Sequence, residues 1–362
     1  MNILVYDIAA EYAGALTILK GFYNEVISYQ DESHNWYFVV STNELEETSN
    51  VKIIHVPWVK KSWLHRWLYD KFCARKLVEQ YDIDLVFSMQ NMPIQGAKCR
   101  QVVYLHQSLQ FSPVKFSLLK KEERVYWVRQ NIICELMKKT LKKADSIIVQ
   151  TKWMEKATKE WLGMPDKKIK IFPPNIDLRN CCKEQLERER DLFIYPAGDG
   201  IHKNHRLIIR ACEMLKEKGV AYRVFFTLDA SESYYTNELY LEVKQKGLNI
   251  EFVGLLSNEE IMRLYKKAVL VFPSYLETFG LPLLEVKNSN GIVLCSDLPF
   301  AHEILDDYDD AYFFDIKNAG ELADYMEKCV HNIIKPNENI DVQELSTYAS
   351  EKTLVECVLE ME

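Results

Sequence analysis

The sequence predicts an α/β protein of two Rossmann-like domains facing each other across a cleft. Three observations carry that prediction. Short apolar runs alternate with longer amphipathic stretches along the whole chain, the β-α-β pattern of parallel sheets covered by helices on both faces. The alternation extends over 362 residues, enough for two domains at roughly 150 residues each. Midway, Ile171-Phe-Pro-Pro-Asn-Ile-Asp177 carries two prolines after a strand and reads as a stiff linker. The expected division is therefore 1–175, 176–340 and a C-terminal helical segment, 341–362, packing back on the first domain.

In the first half the strand candidates are Ile3–Tyr6, Trp36–Ser41, Lys52–Val56, Leu85–Ser88, Val102–His106 and Ser146–Gln150. Helical patterns fall at Ala15–Ile27, Trp63–Glu79, Leu118–Lys143 and Lys152–Trp161. After the charged run Lys183–Asp191 the strand candidates are Leu192–Tyr195, Tyr222–Thr227, Ile250–Val253, Val269–Phe272, Ile292–Ser296 and Tyr312–Phe314. Helices are expected at Lys203–Lys218, Asn258–Lys267, Leu281–Lys287 and Ala319–His331.

Composition narrows the function. Hydrophobic residues make up 48% and charged residues 27%, ordinary for a globular protein. The net charge of −8 argues against a nucleic-acid coat protein. Nine cysteines, an odd number without a C-x-x-C pair, suggest neither a disulfide framework nor a zinc knuckle. The opening Met-Asn-Ile-Leu-Val-Tyr reads as a strand and not as a signal peptide. No apolar stretch approaches the ~18 residues of a membrane span. A cytoplasmic, reducing location is expected.

Ligands of open α/β sheets sit at the carboxyl ends of strands, so the loops there carry the chemistry. In Phe272-Pro-Ser-Tyr-Leu-Glu-Thr-Phe-Gly-Leu-Pro-Leu-Leu-Glu285 a strand ends, a loop follows, and a helix opens at Gly280 with Pro282 in its first turn. The N–H groups of Thr278, Phe279, Gly280 and Leu281 mark a helix N-terminus suited to a phosphate. Glu285, one turn in, suits two vicinal hydroxyls of a ribose. Glu277 stands on the loop before the helix, toward whatever lies beyond the phosphate.

Glu277 and Glu285, with Thr-Phe-Gly-Leu-Pro between them and an apolar strand before, form a Glu-x7-Glu pattern that resembles glycosyltransferase family 4. The resemblance implies retaining enzymes of the GT-B fold. It implies an N-terminal acceptor-binding domain and a C-terminal domain that binds the nucleotide sugar. It further implies front-face transfer, in which the leaving phosphate takes the acceptor's proton. Glu277 would orient the donor sugar and face the developing positive charge. Glu285 would hold the ribose.

The loop Tyr195-Pro-Ala-Gly-Asp-Gly-Ile-His-Lys-Asn-His205 contains Gly198 and Gly200, but Lys203 stands where a dinucleotide fingerprint needs its third glycine. A lysine opening a helix there suits a diphosphate. Lys203 aligns with the family's diphosphate lysine, whereas Asp199 occupies the position where many members carry an arginine. Arg206 is the nearby cation available to compensate. His106, at a strand's carboxyl end, matches the family histidine that touches the donor sugar. Gly14 matches the N-terminal glycine loop loosely, and Gly254 in Phe252-Val-Gly254 matches the loop beside the base.

No D-x-D cluster stands in a phosphate-binding setting, so no metal and no cofactor are expected. The donor is expected to be a UDP-sugar ahead of GDP-mannose, and no nucleic acid is expected as a partner. Two stretches, Trp58–Lys76 and Lys115–Lys143, combine basic and aromatic residues in a way that suits an anionic membrane surface. The sequence reads as a transferase acting on a glycan or lipid-linked glycan. The alternatives are a nucleotide-sugar epimerase and a catalytically silent nucleotide-sugar-binding subunit.

Overall fold

The structure, a computed structural model, describes residues 1–10, 13–29, 33–174, 186–335 and 352–361. The end of the expected linker, the start of the charged run and most of 341–362 lie outside the described residues. The chain forms two compact units, Met1–Gln107 with Arg129–Pro174 and Ala349–Glu362, and Ser108–Val128 with Asn175–Tyr348.

The first unit is built on seven strands: β1 (Asn2–Asp7), β2 (Asn35–Val40), β3 (Val51–His55), β4 (Leu85–Ser88), β5 (Arg100–Tyr104), β6 (Ser146–Val149) and β7 (Ile169–Ile171). They pair in parallel in the order β3-β2-β1-β4-β5-β6-β7. Alternate residues of a strand face opposite sides of the sheet, and here both sides are buried. Ile3 and Val5 join Phe22, Trp36, Phe38 and Phe87 on one side. Leu4 and Tyr6 join Val39, Val59, Tyr69 and Val86 on the other. That is why these strands read as continuous apolar runs.

The helices of the first half are α1 (Ala13–Ser28), α2 (Trp63–Leu68), α3 (Ala74–Gln80), α4 (Arg124–Val128), α5 (Cys134–Leu141) and α6 (Lys152–Leu162). Single π turns at Tyr69–Cys73 and Arg129–Ile133 interrupt what the periodicity predicts as two unbroken helices. Thr151 caps the first turn of α6, and Gly163 closes its end in the left-handed conformation.

The second unit has six parallel strands: β8 (Leu192–Tyr195), β9 (Arg223–Phe226), β10 (Ile250–Phe252), β11 (Val269–Phe272), β12 (Val293–Ser296) and β13 (Ala311–Phe314), in the order β10-β9-β8-β11-β12-β13. Its helices are α7 (His205–Glu217), α8 (Tyr234–Lys246), α9 (Asn258–Lys267), α10 (Leu281–Asn288), α11 (Pro299–Leu305) and α12 (Ala319–Val330). Helices α8 and α11 were not legible as apolar stripes. α8 buries only Tyr235, Thr236, Leu239 and Val243 among mixed polar residues, and α11 has seven residues. The last helix, α13 (Leu354–Leu359), belongs to the first unit, where Leu354, Val355 and Val358 enter the core beside α1. The seven cysteines among the described residues are all free.

Candidate active site

The second sheet reverses its winding between β8 and β11. These strands are neighbours, with Val269 opposite Phe193 and Leu270 opposite Ile194. From them the sheet grows outward to β10 on one side and β13 on the other. A reversal of this kind opens a crevice at the strands' carboxyl ends, where ligands bind. The two loops that leave there are 196–204 and 273–280. They hold Gly198, Lys203, Glu277, Thr278, Phe279 and Gly280.

Polar contacts lace the two loops together. The Tyr275 N–H donates to the His202 carbonyl at 3.0 Å, and the Ser274 hydroxyl donates to the same oxygen at 3.3 Å. The Asn204 side-chain amide donates to the Pro273 and Ile316 carbonyls at 3.3 and 3.0 Å. The Tyr195 hydroxyl donates to the Lys203 carbonyl at 2.8 Å. Asn204 has φ 58°, a left-handed conformation that asparagine tolerates. This corrects one expectation: Lys203 does not open a helix. It ends a 3-10 turn, Ile201–Lys203, and α7 starts two residues later. Gly200 packs against the same turn: a Cβ there would lie 2.4 Å from the His202 ring, which would have to shift.

The ammonium of Lys203 lies 2.6 Å from Glu277 Oε1, with the two side chains 21% and 15% exposed. Beyond Glu277 the chain enters α10 through Gly280, whose φ of 89° no L side chain adopts comfortably. A Cβ there would also press on Leu283 at 3.3 Å. Phe279 is buried beneath the helix start, Thr278 is half-buried and Leu281 is exposed. Glu285, one turn along α10, accepts a hydrogen bond from the Tyr265 hydroxyl at 3.1 Å. Burial raises its pKa above the ordinary glutamate value. Gly254 follows β10, and its N–H donates to the Leu228 carbonyl at 3.1 Å.

His106 and Gly14 belong to the first unit. β5 ends at Tyr104, so His106 lies two residues beyond the strand that was expected to contain it. Its N–H donates to Asn91 Oδ1 at 2.9 Å. Its Nδ1 is buried with no hydrogen-bond partner among the described residues, and burial pushes its pKa down to about 4, so the ring is neutral at pH 7. Gly14 lies in the first turn of α1.

The first sheet reverses between β1 and β4 in the same way, and there the structure gathers Asp7 and Gln90, which sequence reasoning did not single out, with two cations of the Trp58–Lys76 stretch. Asp7, 3% exposed, accepts from the Ala9 and Ala10 N–H groups, both at 3.2 Å, and burial pushes its pKa up to about 6. Lys60 donates to the Ala9 carbonyl at 3.2 Å, and Arg66 donates to Gln90 Oε1 at 3.2 Å. Two cations of the Trp58–Lys76 stretch thus hold partners beyond the ends of β1 and β4, Lys60 while itself exposed and Arg66 half-buried. Trp67, Leu68 and Phe72 remain exposed.

The model of the family Glycosyltransferase Family 4 matches residues 25–180, and that of Glycosyl transferases group 1 matches 182–343. The chain belongs to the GT-B glycosyltransferases.

This glycosyltransferase is 24% identical over 202 residues to the O-antigen chain mannosyltransferase RfbU of Salmonella typhimurium, an alignment covering 53% of this chain and 56% of that protein. The chain thus spans little more than half the length of the curated relative it matches. Its fold is similar to sucrose-phosphate synthase from Thermosynechococcus elongatus, with a TM-score of 0.64 at 15% identity over 99% of this chain and 96% of that one. It is also similar to Anabaena Alr3699/HepE, solved in complex with UDP-glucose, with a TM-score of 0.63 at 14% identity over 99% and 98% of the two chains.

One expectation about the glycosyltransferase's basic residues fails. Arg206 does not stand in for the arginine that Asp199 replaces. Its guanidinium lies 3.7, 3.5 and 3.7 Å from Glu122, Glu238 and Glu242, and it packs over the Tyr235 ring. Among the described residues, no group of three or more His, Cys, Asp or Glu side chains is placed to hold a metal ion. None of the described helices is long and apolar enough to cross a membrane.

Proposed function

We propose that this glycosyltransferase moves a sugar from a UDP-sugar to a hydroxyl of a glycan or lipid-linked glycan, with retention of configuration and without a metal ion. One observation carries the reading. Lys203 and Glu277 come together at the strand reversal, directly ahead of the N-terminus of α10. A donor diphosphate beside Lys203 replaces Glu277 as the lysine's partner and meets the helix N–H groups. Glu277 is then released to the donor sugar. Glu285, held by Tyr265, serves the ribose hydroxyls.

As the bond between the sugar and the diphosphate breaks, negative charge grows on the leaving oxygen. A fixed ammonium and a helix N-terminus favour that state over the ground state. The acceptor hydroxyl attacks the same face of the sugar and gives its proton to the departing diphosphate oxygen, so no separate protein base is needed. His106, neutral at pH 7, serves as a hydrogen-bonding group to the donor sugar.

HepE's complex with UDP-glucose supports a UDP-sugar donor, and RfbU's description as an O-antigen chain mannosyltransferase supports a polysaccharide or lipopolysaccharide acceptor. The same relative favours a second reading, mannosyl transfer from GDP-mannose. The proposed place of work is the cytoplasmic face of a membrane. Trp67 and Phe72 contact it there, with Lys71 held over both rings at 4.5 and 5.2 Å.

Titration calorimetry with UDP-glucose and GDP-mannose tests the donor, and NMR of the glycosidic product tests the anomer. Binding of UDP-glucose with a retained anomer is expected. Binding of neither nucleotide sugar, or an inverted product, refutes the reading.

A further inference from the structure

The connection after β5 makes a detour. β5 ends at Tyr104 and α4 begins at Arg124, and residues 105–123 between them hold only the short 3-10 turns Leu109–Phe111 and Lys121–Glu123. Strand-to-helix connections in parallel sheets take roughly two to six residues, and much longer ones are usually functional. This one leaves its own unit. Ser108–Val128 belongs to the second unit, whereas Gln107 and Arg129 on either side of it belong to the first.

The detour ends on the two loops of the candidate active site. Phe116 is buried, its ring centre 6.4 Å from that of Tyr275 on loop 273–280. The Tyr126 ring lies 5.0 Å from Phe116 and 6.1 Å from the His202 ring on loop 196–204. These separations are those of favourable aromatic pairs. One pair of rings thus reaches both loops, at the two residues whose backbones are already joined by the Tyr275 N–H and the His202 carbonyl. His202 directly precedes Lys203, and Tyr275 stands two residues before Glu277.

The segment is itself anchored. Glu122 faces Arg206 of α7 at 3.7 Å, and Lys121 sits over the Tyr234 ring at the start of α8 at 4.8 Å. Glu123 accepts from the Ser117 N–H at 2.8 Å, and the Arg124 Nε donates to the Leu118 carbonyl at 3.0 Å, which ties the stretch after Phe116 to α4. On the loop side, His202 Nδ1 is buried with no hydrogen-bond partner among the described residues, and burial pushes the ring's pKa down to about 4. That side of a neutral ring is held by packing, so loss of the Tyr126 ring is felt in the loop. We propose that Tyr126 and Phe116 are positioning residues, which from the 108–128 segment brace loops 196–204 and 273–280 and so hold Lys203 and Glu277 in place for the donor. The bracing stands on these contacts alone. Its use in donor binding rests on the donor site proposed above.

The test compares the full-length wild type with Tyr126→Ala, Tyr126→Phe and Phe116→Leu. Amide hydrogen exchange without donor reads the bracing. In Tyr126→Ala the amides of 196–204 and 273–280, Tyr275 among them, should exchange about two to ten times faster, the range set by one aromatic pair. Those of β12 and α12 should keep their wild-type rates, and thermal unfolding should be unchanged. Phe116→Leu should act in the same direction, and Tyr126→Phe, which keeps the ring, should restore the wild-type pattern. Calorimetry with UDP-glucose and GDP-mannose reads the use: Kd for the nucleotide sugar that binds should rise about two- to tenfold in Tyr126→Ala and return in Tyr126→Phe. A wild type that binds neither refutes the donor reading, and exchange alone then decides the bracing. The proposal is overturned if the loop amides of Tyr126→Ala exchange as in the wild type, or if α12 speeds up as much as the loops. It is also overturned if Tyr126→Ala binds the nucleotide sugar as tightly as the wild type does.

Discussion

The Lys203 ammonium and the Glu277 carboxylate form an ion pair at 2.6 Å although 74 residues separate them in sequence. Both are largely shielded from water, so each is the other's main compensation in the ligand-free protein. In the proposed reading the pair is an exchangeable contact, with the donor diphosphate as the competing anion.

Lys203→Ala should lower kcat roughly 10²–10³-fold, comparable to removing one preorganised donor at a developing charge. Lys203→Arg should recover only part, because a planar fork does not replace a point charge. The double variant Lys203→Ala with Glu277→Gln should cost clearly less than the product of the single effects, since the two act as a unit. Steady-state kinetics beside thermal unfolding checks this. Full additivity would separate the two residues.

Glu285→Ala should weaken nucleotide-sugar binding by about 1.5–3 kcal/mol, the range for hydrogen bonds to a charged group. Tyr265→Phe, which removes only the hydroxyl that holds the carboxylate, should weaken it by about 1 kcal/mol. Calorimetry on folded variants reads both, and unchanged affinity in Glu285→Ala would remove it from the ribose site.

Transfer should persist in EDTA and gain nothing from added Mg²⁺ or Mn²⁺, because in the proposed reading Lys203 and the α10 N-terminus supply the positive charge at the leaving group. Activity lost on chelation and restored by either ion would contradict the metal-free reading.

Gly280→Ala should destabilise the second unit by about 1–2 kcal/mol through left-handed strain. It should also weaken donor binding, because the helix start proposed to receive the phosphate shifts with it. Thermal unfolding and calorimetry on the same variant check the two effects.

His205 is buried between Tyr195 and Phe226, its ring centre 4.9 and 5.0 Å from theirs, and neither ring nitrogen has a hydrogen-bond partner among the described residues. Burial pushes its pKa down to about 3. The unfolded chain binds a proton here near pH 6.5 and the folded chain does not. Stability from this group is therefore complete above pH 6.5 and is lost as pH falls toward 3. His205→Phe should remove that loss, with an advantage over the wild type of about 2 kcal/mol at pH 5. Denaturant unfolding across pH 4–8 measures it. Parallel curves for the two proteins would refute it.

The sequence by itself determined the α/β class, most of the strands and the local shape of the loop from Phe272 to Glu285. These are short-range matters. A parallel strand buried on both faces must be a continuous apolar run, as in Val269–Phe272. A helix that opens with Gly-Leu-Pro announces itself whatever surrounds it. The capping box of Ser257 and Glu260 likewise set the start of α9.

Tertiary structure decided which of these local features meet. Only the pairing of β8 with β11 brings Lys203 to Glu277. Only the packing of α7 against α8 and the 108–128 segment hands Arg206 to three carboxylates. The turn of Lys60 and Arg66 toward the ends of β1 and β4 was equally illegible, because a charged side chain's direction depends on partners that lie far away in the chain. The left-handed turn at Asn204 moved the start of α7 by two residues, since a single backbone angle there is set by the carbonyls of Pro273 and Ile316. Periodicity and turn chemistry are properties of neighbours in sequence. A binding site is a property of neighbours in space, and sheet order is what converts the one into the other.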